Sequence, residues 1–224
     1  MKNGDRRPLA SRDTSWARTI SQRLARTSIT PNQVSQLSMV LATIAGLALW
    51  ISHGAEGIGR VLLLVVAVLG MQGRLLCNLF DGMIAIESGK ASPTGALWNE
   101  VPDRVSDAVI LVGAGLAIGS PALGWAAAAM AILTAYARAF ADSLGHRGDF
   151  GGPMAKPQRM AVLTAACIIA VFAPMWDWRD EPLWLALWVV ILGGALTALL
   201  RGRRLHRHLR QQVARGSDEN KDTA

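Results

Sequence analysis

Six apolar runs, each about as long as a membrane-spanning helix, dominate this sequence. They cover approximately residues 31–52, 61–86, 95–118, 122–141, 160–175 and 183–200. A helix needs roughly 20 consecutive apolar residues to cross the hydrocarbon core of a bilayer. The chain has 224 residues, 51% of them hydrophobic, which suffices for six such helices. We therefore predict an all-α integral membrane protein with six transmembrane helices, of which the third and fifth give the weakest hydropathy signal.

The segments outside these runs are polar and basic. Within residues 14–27, Trp16, Ile20 and Leu24 recur every four positions, which predicts an amphipathic helix lying at the interface with membrane lipids. A soluble basic arm is the alternative. The chain is thus predicted to comprise a basic arm with an amphipathic helix (1–28), a six-helix membrane domain (29–201) and a basic, polar tail (202–224).

Positive charge is concentrated at both ends of the chain and in two loops. The sequence has 23 Lys and Arg against 16 Asp and Glu, a net charge of +7. With six helices, the two ends and the loops around Lys90 and Arg147 fall on one side, whereas the other side has only Arg60 and Arg179. The positive-inside rule then predicts a multi-pass protein of the cytoplasmic (inner) cell membrane with both termini cytoplasmic. No nucleic-acid partner is expected, because the charge does not form a surface interleaved with aromatic residues.

The cysteines and several tryptophans fit the same membrane interpretation. Cys77 and Cys167 lie inside apolar runs, and are expected to be small buried hydrophobic residues rather than a disulfide or a metal pair. Four tryptophans flank the turn between the fifth and sixth runs, where they are typical of an interfacial aromatic belt: Trp176, Trp178, Trp184 and Trp188.

Acids and amides are concentrated where the second apolar run ends and the third begins. Asn78 and Asp81 are three residues apart, which places both on one helical face, while Asn99, Asp103 and Asp107 recur every four residues on the next helix. Such side chains are costly at membrane depth and usually face a wet or metal-filled cavity. Two oxygen-bearing faces on neighbouring helices suit a hard divalent cation such as Mg²⁺. Hydrogen bonds that merely hold helices together are the simpler alternative, but the number and regular spacing of these residues favour a functional site.

These residues resemble the signature of the CDP-alcohol phosphatidyltransferases, D-x2-D-G-x2-A-R-x8-G-x3-D-x3-D. Every spacing is kept in this chain, which reads Asn78-x2-Asp81-Gly82-x2-Ala85-Ile86, then eight residues to Gly95, then Asn99 and Asp103. The stretch ITPNQVS at 29–35 resembles the family's TPNxxT entry to its first span. Arg138, with GPMAKPQR at 152–159, resembles the basic segment that follows the fourth helix in many members.

The resemblance implies a group-transfer reaction at the membrane. A hydroxyl of an acceptor alcohol attacks the lipid-side phosphorus of a CDP-alcohol lipid such as CDP-diacylglycerol, and CMP leaves. A pyrophosphate at the membrane surface needs divalent cations, here Mg²⁺ or Mn²⁺, to neutralise developing charge. The resemblance assigns Asp103 as catalytic base and metal ligand, and assigns Asn78, Asp81 and Asn99 as the other metal-ligand positions.

The resemblance also implies residues for the two substrates. It places seven residues at the CDP-lipid pocket: Asn32, Gln33, Ser35, Gly82, Ala85, Ser92 and Gly95. Arg138, Lys156 and Arg159 have donors suited to the phosphate of an acceptor or of the donor lipid, although each could instead be an anchor at the membrane interface. A homodimer is expected on the resemblance alone.

The chain departs from the signature at three positions. Two signature aspartates are replaced by Asn78 and Asn99, and the signature arginine is replaced by Ile86. An asparagine still offers a neutral carbonyl oxygen to Mg²⁺. Glu100 and Asp107 are the candidate accessory acids that would restore part of the lost negative charge.

Two alternatives follow from these departures. In another register Asp103 and Asp107 would form the final aspartate pair, but that register loses the signature glycine at 95. A catalytically inactive relative, acting as a membrane scaffold or lipid-binding partner, is the main alternative function. A channel or transporter is less favoured, because the sequence shows no inverted repeat of interrupted helices.

Overall fold

The computed structural model describes residues 14–87, 95–146 and 149–222, and all regular structure in these ranges is helical. Seven α-helices lie within them: α1 (Ser15–Ala25), α2 (Pro31–Ser52), α3 (Gly57–Glu87), α4 (Gly95–Ala117), α5 (Pro121–Ser143), α6 (Lys156–Phe172) and α7 (Glu181–Asp222). A 3-10 turn at Ala173–Trp176 joins α6 to α7. The predicted pocket residue Ser92 and the loop residues Lys90 and Arg147 lie outside the described ranges.

The helices confirm the prediction of an all-α, multi-pass membrane protein. Five of the described helices, namely α2, α3, α5, α6 with its 3-10 turn and α7, are long and apolar enough to cross a bilayer. The third predicted span corresponds to α4, which has 23 residues but carries charged side chains at Glu100, Asp103, Arg104 and Asp107. Its length suits a span and its composition does not, so a sixth transmembrane helix stays a prediction.

Helices α2 to α7 form a closed ring. Close packing joins α3 to α2, α2 to α4, α4 to α5, α5 to α7, α7 to α6, and α6 back to α3. Large apolar side chains from several of these helices are fully buried between them, including Leu49, Leu64, Met71, Ile110 and Leu163. Helices α3 and α4, by contrast, are not one of these closely packed pairs, and polar side chains connect them.

Glycines set the closest helix crossings of the ring. A Cβ atom added at Gly113 of α4 would lie 2.4 Å from the backbone oxygen of Gly46 on α2, and one added at Gly115 would lie 2.6 Å from the Cα of Gly124 on α5. Carbon atoms do not approach other heavy atoms this closely, so only glycine permits these backbone contacts. These crossings hold α4, and with it the polar residues of its first half, tightly against α2 and α5.

Replacing Gly113 by Ala is expected to destabilise the protein by about 1–3 kcal/mol, the usual cost of overpacking. The added methyl group forces α2 and α4 apart at Gly46. Gly59→Ala is the matched control, since Gly59 is also helical and its added Cβ meets no atom within 4 Å. Thermal unfolding in one detergent would measure both variants, and equal unfolding temperatures would contradict the proposed crossing.

The start of α2 confirms the predicted helix cap. The Thr30 hydroxyl accepts a hydrogen bond from the Gln33 amide at 3.3 Å, and the Gln33 side chain accepts one from the Thr30 amide at 2.9 Å. Pro31 is the first helical residue, as predicted, where its missing N–H costs nothing. This reciprocal capping fixes the point at which the first span begins.

Helix α1 is present and packs on α3. Ala17 and Ser21 are buried, and the Trp16 ring contacts the edge of the Phe80 ring at a centroid distance of 6.2 Å. Trp16 and Ile20, from the predicted apolar stripe, remain 47% and 38% exposed. The predicted position of α1 on the membrane surface is consistent with these exposed side chains and stays a prediction.

The last helix extends beyond the sixth apolar run. The predicted boundary between membrane domain and tail, after residue 201, falls inside α7, which continues to Asp222. The predicted burial of the cysteines is confirmed, because Cys77 and Cys167 are both buried.

At the end of the ring where α3 and α7 begin, a separate set of polar contacts joins the turns that precede these helices. Arg60 pairs with Asp180 at 2.9 Å, and Arg179 donates to the backbone oxygens of His53 and Ala55 at 2.9 and 3.1 Å. The two arginines that the sequence assigned to one side of the membrane therefore lie at the same end of the bundle, where they join the turns before α3 and α7.

Candidate functional site

Polar residues of α3 and α4 face each other in successive layers. The Asn78 side-chain nitrogen donates to the Asp103 carboxylate at 3.0 Å, and one turn along each helix Arg74 pairs with Asp107 at 2.6 Å. Because the residue numbers fall along α3 as they rise along α4, the two helices are antiparallel. The layers are roughly 6 Å apart, the rise of four helical residues. The structure therefore brings the predicted polar residues Asn78 and Asp103 together, whereas the partner of Asp107 on α3 is Arg74, which was not among the predicted residues.

The next layer contains Asp81, which is only 7% exposed. Its carboxylate accepts a hydrogen bond from the Ser35 hydroxyl of α2 at 2.8 Å. Asp81 and Asp103 are close enough for their charges to repel each other. Asn99 lies on the α4 backbone one turn before Asp103, and its side chain is outside the described part of the structure. The layers that contain Asp81 and Asp103 therefore bring two carboxylates from facing helices together.

Asp103 lies at the centre of a set of donors. Besides Asn78, the ammonium group of Lys156, the first residue of α6, donates to the same Asp103 oxygen. The Arg74 guanidinium lies 3.7 Å from this oxygen and donates to the Asp103 backbone oxygen at 3.3 Å. The side chains of Asp103 and Lys156 keep 14% and 19% of their surface exposed. Asp103 is thus held from α3 and α6 yet remains accessible.

The deepest layer is a buried cluster of three charges. Asp107, 1% exposed, pairs with Arg74 at 2.6 Å and with Arg159 at 2.6 Å, and the two guanidinium groups are 0% and 2% exposed. Arg159 also donates to the Thr134 hydroxyl at 3.2 Å and to the Met154 backbone oxygen at 3.0 Å. The cluster therefore connects α3, α4, α5 and α6 in the interior of the ring.

Two predicted site residues are thus directed toward each other. Asp107 was expected as an accessory acid and Arg159 as a phosphate ligand, and the structure pairs the two with each other in the interior. Their contact joins residues 52 positions apart. Removal of Asp107 would leave the buried Arg159 guanidinium without its acidic partner, which is strongly destabilising.

Glu100 and Arg138 form a different group, on the α5 side of α4. The Glu100 carboxylate pairs with Arg104 on its own helix and with Arg138 of α5. The Arg138 guanidinium also lies over the Phe150 ring, 5.4 Å from its centroid. This group occupies the rim of the ring rather than the space between Asp81 and Asp103.

The basic end of α7 fixes the loop that precedes Lys156. Arg204 pairs with Asp149 at 2.8 Å, Arg201 donates to the Gly151 backbone oxygen at 3.1 Å, and the Met154 amide donates to the Thr197 hydroxyl at 3.0 Å. α7 therefore positions the chain that delivers Lys156 to Asp103.

The remaining predicted pocket residues are distributed along α2, α3 and α4. Asn32 and Gln33 occupy the first turn of α2, where the Gln33 side chain belongs to the helix cap. Gly82 and Ala85 are half-buried on α3 directly after Asp81, and α4 begins at Gly95.

Arg74 is the site residue that the sequence analysis missed. It lies inside the second apolar run, four positions before Asn78 and seven before Asp81, which places all three on one helical face. A charge at membrane depth is itself an indication of function. This combination of position and periodicity is the signal that could have identified it.

The donor set of the site suits a hard divalent cation. Within the described ranges, no group of three His, Cys, Asp or Glu side chains is placed to hold a metal ion. Asp81 and Asp103 nevertheless present carboxylates from facing helices, and a half-turn of the Asn78 amide would add its oxygen. Carboxylate and amide oxygens are the ligands that Mg²⁺ and similar ions prefer.

Fold and site together define a class: a multi-pass, all-helical membrane protein with an oxygen-rich, charge-lined site inside its helix ring. No family model matches the chain. Phosphatidylinositol phosphate synthase of Mycolicibacterium smegmatis is 26% identical over 194 residues, which cover 83% of this chain and 81% of the relative. Archaetidylinositol phosphate synthase of Aeropyrum pernix is 28% identical over 156 residues, 70% of this chain and 75% of the relative. Inner membrane protein YnbA of Escherichia coli is 27% identical over 169 residues, which cover 73% of this chain and 81% of the relative.

Solved structures with the same fold agree with these sequence relatives. The crystal structure of Mycobacterium tuberculosis phosphatidylinositol phosphate synthase with CDP-DAG bound has a TM-score of 0.69 at 23% identity, covering 86% of this chain and 94% of that one. The structure of the same synthase with manganese and citrate has a TM-score of 0.68 at 22% identity, covering 84% and 88%. The relatives and structures named for phosphatidylinositol phosphate synthesis are CDP-alcohol phosphatidyltransferases, and this chain is similar to them in sequence and in fold.

Proposed function

We propose that this protein is a membrane phosphatidyltransferase of phospholipid biosynthesis. It moves a phosphatidyl, or phospho-alcohol, group from a CDP-alcohol such as CDP-diacylglycerol to the hydroxyl of an acceptor alcohol, and releases CMP. The observation that carries this proposal is the placement of Asp103, which faces Asn78 across the α3–α4 gap at 3.0 Å, at the matching positions of the family signature.

Asp103 is proposed to take the proton of the acceptor hydroxyl. A general base must lie within hydrogen-bond reach of that proton, and Asp103 is accessible in the interior of the ring. Asn78 and Lys156 hold the carboxylate in a fixed orientation. The Lys156 ammonium, which lies beside Asp103, is also placed to attract a phosphate and so to bring the hydroxyl of a phosphorylated acceptor close to the base.

A divalent cation, Mg²⁺ or Mn²⁺, would supply charge neutralisation for the pyrophosphate of the donor when bound. Asp81 and Asp103 are proposed to hold it, with amide oxygens from Asn78 and Asn99. The manganese in the related M. tuberculosis structure supports a divalent metal in this fold.

The CDP-lipid is proposed to bind between α2, α3 and α4. The CDP-DAG of the M. tuberculosis synthase supports such a ligand, and the Ser35–Asp81 contact brings α2 to the polar face of α3. The pocket would be lined by residues of those three helices and of the loop before α4: Asn32, Gln33, Ser35, Gly82, Ala85, Ser92 and Gly95.

The acceptor is proposed to carry a phosphate. Two relatives are named phosphatidylinositol phosphate synthase and archaetidylinositol phosphate synthase, and Lys156 donates directly to Asp103. Lys156 and Arg138 are partly exposed, each at 19%, and are the proposed phosphate ligands. Arg159 is proposed to act through Asp107 instead, because its guanidinium is buried.

We further propose six transmembrane helices, with α4 as the sixth, and both termini cytoplasmic in the inner membrane. The 23 residues of α4 are long enough to span, and its Asp103 and Asp107 face the ring interior, where α3 and α6 supply opposite charges. The concentration of Lys and Arg at the two chain ends supports this orientation, and the name of the E. coli relative supports the membrane. α1 would lie at the cytoplasmic surface, and the protein would form a homodimer.

The function is tested by CMP release from detergent-purified protein given CDP-diacylglycerol, Mg²⁺ or Mn²⁺, and a panel of polyols and polyol phosphates. Acceptor-dependent release is the expected result. The asparagines at positions 78 and 99 favour one second candidate, an inactive relative that binds lipid without turnover. CDP-lipid binding without CMP release for any acceptor would establish that candidate instead.

Lys156→Gln is expected to lower kcat/KM for a phosphorylated acceptor by roughly 10- to 100-fold, the effect of losing one charge-assisted hydrogen bond. Most of this change should appear in KM for the acceptor. Arg203→Gln is the matched control, since Arg203 is also basic but exposed on α7, away from the ring interior. Equal effects of the two substitutions would contradict a specific role for Lys156.

A further inference from the structure

The charged side chains around Asp103 balance one another before any cation binds. Three carboxylates and three cationic side chains lie in direct contact or one layer apart: Asp81, Asp103, Asp107, Arg74, Lys156 and Arg159. Any metal ion therefore adds its full charge to a neutral, largely buried group. Uncompensated charge in such surroundings is strongly unfavourable.

Only two of the carboxylates are available to a metal ion. Both Asp107 oxygens lie 2.6 Å from a guanidinium nitrogen, one of Arg74 and the other of Arg159, and the side chain is 1% exposed. Asp81 and Asp103 remain, with the neutral amide of Asn78 in contact with Asp103.

Arg74 lies on the side of Asp103 that faces the buried Asp107. Its guanidinium is fully buried, 3.7 Å from the Asp103 carboxylate and 2.6 Å from Asp107. Lys156 contacts the same Asp103 oxygen from α6. A divalent ion beside Arg74 would meet this buried positive charge at short range, whereas between Asp81 and Asp103 it would meet two carboxylates.

We propose that the site holds one divalent cation per chain, between Asp81 and Asp103, and that Arg74 supplies the fixed positive charge on the other side of Asp103. The inference rests on the proposed function, because the two negative charges of one CDP pyrophosphate balance a single divalent ion. A second ion would leave two positive charges uncompensated inside the ring.

The test is a count of bound Mn²⁺ in the full-length protein, held in phosphatidylcholine nanodiscs with CDP-diacylglycerol. Equilibrium dialysis gives the stoichiometry, and electron paramagnetic resonance separates an isolated ion from an exchange-coupled pair. One uncoupled Mn²⁺ per chain, lost in Asp81→Asn and kept in Asp177→Asn, is the expected result. Two ions, a coupled pair, or no bound ion would each overturn the inference.

A second variant tests the role of Arg74. Arg74→Gln combined with Asn78→Asp removes the fixed positive charge and adds a carboxylate, so it should bind two Mn²⁺ per chain. A folded double variant that still binds one ion would refute the role given to Arg74. CMP release by the same preparations is measured separately. Turnover with two bound ions would overturn this inference and leave the proposed function standing. One bound ion without turnover would overturn the proposed function and leave the ion count standing.

Discussion

Asp103→Asn is expected to lower acceptor-dependent CMP release by roughly 10²- to 10⁴-fold, the range for loss of a general base. The substitution is nearly isosteric, and the new amide oxygen can still accept the hydrogen bonds of Asn78 and Lys156. The ring should therefore fold normally. What is lost is the ability to take a proton from the acceptor hydroxyl, together with one negative charge at the proposed cation site.

Two measurements make this result specific. Asp177→Asn is the matched control, because Asp177 is exposed at the turn between α6 and α7 and has a left-handed backbone, φ 57°, that asparagine also tolerates. Its activity should equal that of the wild type. If Asp103→Asn retains full turnover in a preparation that elutes as a single folded species, the base lies elsewhere and the signature frame has been misassigned.

The fold was predictable where hydropathy and helix caps agree. The apolar runs locate α2 to α7, and Thr30 with Pro31 predicts the start of α2. The length of α7 was not predictable in this way, because its second half is polar. A hydropathy profile registers only the part of a helix that meets lipid, so a helix that leaves the membrane appears to end there.

The site was predictable as far as spacing along a helix determines it. The four-residue steps on α4 correctly place Asp103 opposite Asn78, because helical periodicity fixes a side chain's face. Periodicity carries no information about partners distant in sequence. The pairing of Asp107 with Arg159, and the rotation of Glu100 toward Arg138, depend on how α5 and α6 close the ring. Arg74 was concealed by the apolar residues around it.

Asp107→Ala is expected to destabilise the protein by about 3–5 kcal/mol, the cost of leaving buried charges without their partner. Two guanidinium groups, Arg74 and Arg159, would lose the carboxylate that contacts both at 2.6 Å. Arg159 would keep its hydrogen bonds to Thr134 and Met154, whereas Asp103 is the one acidic neighbour that Arg74 would keep among the residues the structure describes. Thermal unfolding in detergent, followed with Asp177→Asn alongside, measures the loss.

A double variant separates charge compensation from lost packing. Arg74→Met added to Asp107→Ala removes one of the two unpaired cations and keeps an apolar side chain of similar length, so the double variant should be more stable than Asp107→Ala alone. A simple loss of packing predicts no such recovery of stability. The comparison of single and double variants measures the coupling between these two contacting residues. Wild-type stability in Asp107→Ala would show that the cluster is not required for the fold. The double variant should still lose activity, because Arg74 also contacts Asp103. Recovered stability without recovered turnover would show that Arg74 positions Asp103 and does not serve the fold alone.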